Sequence, residues 1–480
     1  MSTKDFPVPP HRVVIIGGGF SGALVAQALI ENTQAPLSIH VVEPRAALGG
    51  GIAYSTSELG HLLNGPLSMI NFGPNDPLPF EAWISRYVES HGLVTTSWRD
   101  GERTFVPRRI FGLYMQERLE RSAIGAAKRL DFTHVRSKAV DIDFQEGRAF
   151  AYLENQPRLE ADHVLLATGA PQAQLAFADP SILGSESYIG DPWDSKLYSR
   201  LATAKHVIII GAGLTMLDAL VSLDAHGFKG SVLVISRRGL SVAPSHPVTE
   251  CPEVVDPERL PLTARTVLRT LQHARKKIAG SGGAWQSLVS AMREATPLIW
   301  DGAAEREKRI YLRHLRAYWE VARHRSAPPT ARLAEAWRAE GRLVSRAARI
   351  HQLVATEDGS LQVGLRFRGA SVVTTLRPDA VINCIGAEYD IRKLARSQAL
   401  FRNLLARGAI RPGPASFGID AEKNGAVIGS SGETNRHFTA IGPVIRGVHW
   451  ESSSIGEIVA QLPPVVARLS MACDHALEVS

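Results

Sequence analysis

Short apolar runs that lead directly into glycines recur along the chain and predict buried parallel strands. The first run, Val13-Val-Ile-Ile16, is β-branched and free of charge, as expected of a strand covered on both faces. Glycines follow, and Ala23 to Ile30 then has a helix-forming composition. The same order returns at His206-Val-Ile-Ile-Ile210. Two such strand–glycine–helix units predict an α/β protein.

Gly17, Gly19 and Gly22 have the spacing of a dinucleotide-binding loop. In that loop the first glycine makes the tight turn, the second lets a pyrophosphate approach and the third lets the helix pack closely. The next predicted strand ends at Glu43, where an acid binds ribose hydroxyls. Residues 44–56 resemble the stretch that leads to the flavin ring in two-dinucleotide flavoproteins, which favours FAD over NAD.

A second loop contains Gly211 and Gly213, but Met216 replaces the third glycine. The strand that follows ends in Ser236-Arg-Arg238 rather than in an acid. A hydroxyl and two guanidiniums suit the 2′-phosphate of NADPH. The alternative is that both arginines are solvated surface charges. The fold class is therefore α/β, with two Rossmann-like dinucleotide-binding domains for FAD and NADPH and a helical insertion in the second.

Two further strands resemble those by which two-dinucleotide flavoproteins cross between their domains. One ends in Ala-Thr168-Gly169, and the other spans Asp379 to Gly386. These elements predict the following division: residues 1–190 form the first part of the FAD domain, 191–378 the NADPH domain and 379–480 the second part of the FAD domain.

The predicted insertion, about residues 262–349, is helical and basic. Between Thr263 and Ile350 there are 18 Lys and Arg against 7 Asp and Glu. In one interpretation its arginines are solvated and Tyr311, Leu312, Leu315 and Trp319 form a core. In the other, the insertion holds an anionic substrate or coenzyme phosphates through Arg316, Arg323, His324 or Arg325.

Several other classes are disfavoured. The three cysteines, Cys251, Cys384 and Cys473, form no close pair, which argues against disulfides, zinc knuckles and thiol–disulfide chemistry and favours a cytoplasmic protein. The uncharged stretch 13–30 could suggest a membrane or signal segment, but its central glycines argue against one. No nucleic-acid motif is present.

The whole pattern resembles the bacterial FAD-NAD(P)-binding family related to flavin-dependent N-hydroxylating monooxygenases. The segments that carry the resemblance, nearly the length of the chain, are Ile15–Gly22, Gly50–Tyr54, His61–Asn64, Phe105–Arg109, Asp191–Trp193, Gly213–Asp218, Ser236–Gly239, Leu312–Arg325 and Gly442–Gly447. The Ala-x-Gly-Asp usual in the superfamily is here Ala440-Ile-Gly-Pro443. This departure leaves a contact to the ribityl phosphate unassigned. Glu451 to Glu457 would open a helix with serine caps.

The resemblance implies an NADPH-using, FAD-dependent oxidoreductase, above all a monooxygenase that transfers oxygen from O₂ to a small amino- or carboxylate-bearing substrate. The alternatives are an NADPH-dependent flavin reductase and a flavin-binding redox sensor. Candidates for lining the flavin are His61, Asn64, Arg109, Tyr188 and Trp193. No catalytic residue, metal or oligomeric state is predicted. The predicted cofactor-binding residues are Gly17, Gly19, Phe20, Ser21, Gly22, Glu43, Pro44, Arg45, His61, Asn64, Arg109, Val140, Thr168, Gly169, Gly211, Gly213, Leu214, Thr215, Ser236, Arg237, Arg238, Gly442 and Pro443.

Overall fold

The structure, a computed structural model, describes residues 9–74, 76–175, 178–247, 263–280 and 285–478. Cys251 lies outside these residues. The strands within them are, in chain order, β1 (His11–Ile16), β2 (Leu37–Val42), β3 (Arg99–Asp100), β4 (Arg103–Thr104), β5 (Leu130–Val135), β6 (Ala139–Gln145), β7 (Arg148–Leu153), β8 (Gln156–Ala161), β9 (His163–Leu166), β10 (Tyr188–Ile189), β11 (His206–Ile210), β12 (Ser231–Ser236), β13 (Leu343–Ala355), β14 (Leu361–Phe367), β15 (Thr374–Leu376), β16 (Ala380–Asn383), β17 (Ala426–Ile428) and β18 (Thr434–Ala440).

The α-helices of the same residues are α1 (Phe20–Asn32), α2 (Gly51–Tyr54), α3 (Phe80–Ser90), α4 (Arg108–Gly125), α5 (Leu214–Ala225), α6 (Ala264–Gly280), α7 (Trp285–Gly302), α8 (Glu305–Ile310), α9 (Arg316–Arg323), α10 (Pro328–Ala339), α11 (Ile391–Ser397), α12 (Ala399–Ala406) and α13 (Ile455–Glu478). A π-helical turn, Tyr311–Leu315, joins α8 to α9. None of the described helices is both long and apolar enough to cross a membrane.

The first sheet has the strand order β17-β18-β9-β1-β2-β5. All its pairs are parallel except β17 with β18. Val13 to Ile16 are almost completely buried, because α1 and α13 cover one face and the small sheet β6-β7-β8 with α11 and α12 covers the other. The uncharged stretch 13–30 is therefore a core strand followed by a core helix.

The second sheet has the order β10-β16-β11-β12-β13-β14-β15. Its first five strands pair in parallel, and β14 and β15 continue from β13 as antiparallel strands. Strands β10 and β16 lie slightly outside the predicted limits 191–378 of this domain. The chain has already entered this domain at Leu175 and Ile182, which pack in its core, and it leaves after Asn383.

The helical insertion is shorter than predicted. Helix α10 packs on the second sheet, with Ala334 and Trp337 in its core, and from Leu343 the chain runs as β13 beside β12. Both elements belong to the nucleotide-binding unit itself. The helical interpretation of residues 343–349 was wrong because Arg346 and Arg349 occupy exposed positions of a strand. Their charges and the lack of a regular alternation of buried and exposed positions left this strand without a period-two pattern in the sequence.

Candidate functional site: two glycine loops and the surfaces that join them

The first glycine loop connects β1 to α1 and leaves no room for side chains. Gly17 has a φ of +102°, and a Cβ there would lie 2.5 Å from the Ala167 carbonyl oxygen. A Cβ at Gly22 would lie 1.9 Å from the carbonyl oxygen of Gly17. The tight turn and the close helix packing predicted for these two glycines are both present.

Other predicted residues converge on the start of α1. A Cβ at Gly19 would lie 3.2 Å from the Cα of Gly51, and one at Gly442 would lie 2.7 Å from the Oγ of Ser21. Three glycine-bearing loops therefore surround one helix N-terminus, where backbone N–H groups favour an anion. Phe20 opens that helix and is buried. This backbone-lined cradle, which any added Cβ would fill, fits the pyrophosphate of FAD.

The acid after β2 lies against the same loop. Glu43 is buried, and its carboxylate accepts hydrogen bonds from the backbone N–H of Gly18 at 3.1 Å and of Arg45 at 3.0 Å. The Arg45 guanidinium also pairs with it, at 3.2 Å. Pro44 and Arg45 are exposed. This is the position from which a carboxylate would reach the ribose hydroxyls of a dinucleotide.

Thr168 and Val140 occupy different surroundings. The Cα of Thr168 lies 3.1 Å from a Cβ placed at Gly17, and its hydroxyl is buried without a hydrogen bond from the protein. The next residue, Gly169, has a φ of +68°. Thr168 therefore lies beside the glycine loop, and its role in cofactor binding stays a prediction. Val140 lies on β6, and its carbonyl accepts a hydrogen bond from Asn403 at 3.0 Å.

The second glycine loop, between β11 and α5, is tight at only one end. A Cβ at Gly211 would lie 2.2 Å from the Cys384 carbonyl oxygen, whereas nothing lies within 4 Å of a Cβ at Gly213. Leu214 and Thr215 form the first turn of α5. Met216, in place of the third glycine, is fully buried in the core of this domain.

One of the two basic residues after β12, Arg238, lines a cavity of about 460 Å³ together with residues that sequence reasoning missed. Arg238 lies on this cavity and reaches the insertion, donating to the Tyr318 hydroxyl at 3.3 Å, whereas Arg237 is exposed. The additional lining side chains include Arg346, Arg368 and Ser345. The hydroxyl of Ser236 accepts from Gly239 N. The sequence signal that could have extended this site is the basic residue Arg346 on β13, which is paired in register with Ile235 on β12.

Both ring nitrogens of His61 are hydrogen-bonded to other residues of the chain. Its Nδ1 bonds the Thr56 hydroxyl at 2.7 Å, and its Nε2 contacts the Asp218 carbonyl oxygen and the Ser222 hydroxyl, both at 3.0 Å. Burial lowers the pKa of this imidazole, although Asp218 opposes the shift. Nδ1 is thus bonded within the first domain and Nε2 to α5 of the second, while cofactor binding by this residue stays a prediction.

The other flavin-lining candidates have mixed surroundings. The Trp193 indole N–H donates to Asp218 at 3.3 Å, and Arg109 is exposed, with one long contact of 3.5 Å to Ser57 O. Asn64 and Tyr188 are half-buried. Sequence reasoning did not single out the neighbouring Arg108. Its guanidinium pairs with Asp218 through two hydrogen bonds of 2.8 and 2.9 Å.

The insertion is attached to the C-terminal FAD segment by buried charges. The Arg323 guanidinium contacts the carboxylates of both Glu451 and Glu457. Arg446 donates to Glu320 and to the Tyr389 hydroxyl, both at 2.8 Å. Burial raises the pKa of Glu451 to about 7, with Arg323 opposing and Glu457 reinforcing the rise.

The other candidate anion-binding residues of the insertion also have partners. Arg316 stacks 4.7 Å from the Phe417 ring, and Arg325 donates to Gln286 O at 2.7 Å. His324 pairs with Glu320 at 2.6 Å. The solvated interpretation is therefore wrong for Arg323, whose side chain is 6% exposed.

The start of α13 is capped by the Glu457 carboxylate, which accepts from the backbone N–H groups of Ser453 and Ser454.

Comparisons with known proteins agree with this architecture. The chain is 25% identical to the uncharacterized protein YdhS of Escherichia coli over 221 residues, which cover 44% of the chain and 39% of that protein. It is 29% identical to an L-aspartate N-monooxygenase (nitrosuccinate-forming) of Streptomyces davaonensis over 158 residues, 28% of the chain and 24% of that protein. The aligned part is well under two thirds of either relative.

Among solved structures, an ornithine N-hydroxylase from Kutzneria sp. 744 has a TM-score of 0.61 at 13% identity, covering 98% of this chain and all of that one. A cadaverine monooxygenase from Erwinia amylovora, bound to FAD, has a TM-score of 0.60 at 12% identity, covering 97% and 95%. These identities establish a shared fold. Residues 14–171 match the family model described as FAD-NAD(P)-binding. The chain accordingly shares its fold with these structures, and its N-terminal third matches the FAD-NAD(P)-binding family model, in agreement with the α/β fold predicted from the sequence.

Proposed function

We propose that the protein is an FAD-dependent, NADPH-using monooxygenase that hydroxylates the nitrogen of a small amino-bearing substrate. The observation that carries this proposal is the difference between the two glycine loops. Glu43 lies against the first loop, whereas Arg238, Arg346 and Arg368 line a cavity beyond the second. A carboxylate suits ribose hydroxyls and guanidiniums suit a 2′-phosphate. FAD in the first domain and NADPH in the second follow from this difference.

The residues of the chain would hold the two nucleotides in facing domains. The cradle formed by Gly19, Gly51 and Gly442 would bind the FAD pyrophosphate, and the N-terminus of α5 would bind that of NADPH. When bound, the flavin supplies hydride acceptance and oxygen chemistry. The protein supplies position and exclusion of water, for which the docked insertion, with Trp300 and Trp450 stacked at 4.4 Å, is suited.

The similarity to an L-aspartate N-monooxygenase, and the fold shared with an ornithine N-hydroxylase and a cadaverine monooxygenase, support oxygen transfer to an amine. A thiol–disulfide reductase is not supported. Among the described cysteines Cys384 is buried, and burial raises the pKa of its thiol well above the usual value, so it is a poor nucleophile. We place the enzyme in the cytoplasm.

The test is to supply the FAD-loaded protein with NADPH, ¹⁸O₂ and one of three amines, L-aspartate, L-ornithine or cadaverine. We expect one ¹⁸O atom in a hydroxylated product and NADPH consumption that rises with that amine. A reductase would oxidise NADPH with an artificial acceptor and incorporate no ¹⁸O. A redox sensor would consume a single equivalent of NADPH and stop. Either result would contradict the proposal.

A further inference from the structure

One face of α5 is bonded to the FAD domain along its length. Asp218, Ser222 and the C-cap residue His226 are spaced four residues apart, so their side chains lie on the same side of the helix. Asp218 pairs with Arg108, and Ser222 contacts His61 at 3.0 Å. His226 Nε2 lies 3.0 Å from a carboxylate oxygen of Glu58. We call these three pairs the α5 seam.

The Arg108–Asp218 pair is the buried ion pair of the α5 seam. The two side chains are only 10% and 5% exposed, and Arg108 also donates to Leu62 O at 3.1 Å. The Trp193 indole N–H supplies a further donor to the same carboxylate. A buried pair with two parallel hydrogen bonds fixes direction as well as distance. Loss of one partner leaves the other charge buried and unpaired.

The fit is also steric. A Cβ at Gly60 would lie 2.6 Å from Cγ1 of Val221 on α5. The backbone of the FAD-domain loop is therefore in contact with the helix between two of its polar pairs. A rotation or slide of the second domain would break all three pairs of the α5 seam together, because they lie on a single rigid helix.

The helix that carries the α5 seam also begins at the second glycine loop, since α5 starts at Leu214, four residues before Asp218. Whatever fixes the axis of α5 fixes the position of a coenzyme bound at its N-terminus. We propose that the α5 seam holds the second domain in the orientation in which NADPH reduces the flavin and stays closed during turnover. Arg108 and Asp218 are then positioning residues. The kinetic part of this inference rests on the proposed function; the structural part does not.

A disulfide across the α5 seam tests whether it opens. The substitutions Gly60→Cys and Val221→Cys place two sulfurs within reach of each other; both are made with Cys251→Ser and Cys473→Ser in the FAD-loaded protein. We expect anaerobic flavin reduction by NADPH in the cross-linked protein to stay within about twofold of the dithiothreitol-treated protein. A loss of more than about tenfold that dithiothreitol reverses would overturn a closed seam.

Breaking the pair tests positioning. We expect Asp218→Asn to slow flavin reduction at saturating NADPH by about tenfold or more while the Kd for NADPH changes less than about twofold. Small-angle scattering should show a larger radius of gyration. Glu340→Gln, which breaks the exposed Arg342–Glu340 pair of the same domain, is the matched control and should change neither value. Unchanged scattering in Asp218→Asn would overturn the inference. If NADPH reduces no form of the protein, the proposed function fails and the scattering comparison still decides the role of the α5 seam.

Discussion

The two glycine loops follow the same backbone path, but the protein closes around them very differently. At the first loop, added Cβ atoms at Gly17 and Gly22 would overlap backbone oxygens, and Gly19 lies against Gly51. At the second, Gly211 is equally tight, but Gly213 is exposed and nothing lies within 4 Å of an added Cβ. The first loop is enclosed by three segments of the chain, and the second is open on its outer side.

This difference suits two nucleotides with different residence times. A flavin that stays bound through many turnovers gains from a cradle built by distant segments, because release would require those segments to separate. A coenzyme that is exchanged in each turnover needs an open approach. The charges differ in the same way, since Glu43 is buried while Arg237 is exposed.

The largest expected effect is that of a methyl group at the enclosed loop. Gly22→Ala should destabilise the fold by about 3 kcal/mol, the upper end of the usual cost of overpacking, because its Cβ would lie 1.9 Å from Gly17 O and a packed core does not absorb such an overlap. The gain in helix propensity, about 1 kcal/mol, is smaller. We expect loss of bound FAD, measured as the flavin-to-protein ratio after purification.

Gly213→Ala is the matched substitution at the open loop. Its backbone has a φ of −88°, which alanine adopts without strain, so FAD content and the unfolding midpoint should stay at wild-type values. Any change in this variant should be confined to its affinity for NADPH. Equal flavin loss in both variants would show that the two loops are not differently enclosed.

The next effect concerns coenzyme choice. Arg238→Ala should raise the KM for NADPH by about 10- to 100-fold, the value of one charge-assisted contact to a phosphate, and leave the KM for NADH nearly unchanged. Arg349→Ala changes an exposed arginine on the adjacent strand β13 that does not line the cavity, so it serves as the control. Equal increases in the KM for NADPH and for NADH would mean that Arg238 acts through its contact with Tyr318.

Both loops and their flanking strands could be predicted from the sequence because their signals are local. A β-branched run, glycines at fixed spacing and a helix-forming segment specify one another within about 20 residues. The structure keeps each of these elements where the pattern predicts it. The acid at Glu43 was found for the same reason, since it ends the strand adjacent to β1.

The surfaces between these units could not be predicted in the same way. Arg108 and Asp218 are 110 residues apart, and nothing local distinguishes Arg108 from the exposed Arg109. Arg323 likewise finds its carboxylates at Glu451 and Glu457 only after the insertion has docked. A pairing of buried charges depends on the tertiary fold, and a single sequence shows only that each charge exists.

The two domains should also differ, by a smaller amount, in how their stability changes as the pH falls. Each domain has a histidine at the start of the strand that leads to its glycine loop, but His11 is buried and His206 is exposed and bonded to Ser231. Burial, reinforced by the charges of Arg12 and Arg148, lowers the pKa of His11 from 6.5 to about 4. Burial also lowers the pKa of His163, on the neighbouring strand, well below its usual value.

A histidine whose pKa is lower in the folded state contributes its full stability above pH 6.5 and loses it as the pH falls towards 4, because only the unfolded chain then takes up the proton. For His11 the loss should be about 1.4 kcal/mol per pH unit in that window. We expect the unfolding midpoint of the wild type to fall between pH 6.5 and 5, and His11→Gln to flatten that dependence. His206→Gln should leave it unchanged. The measurement is the unfolding free energy in urea at each pH, with flavin fluorescence as the probe of the first domain. Equal slopes of this free energy against pH in wild type and His11→Gln would contradict the lowered pKa assigned to His11.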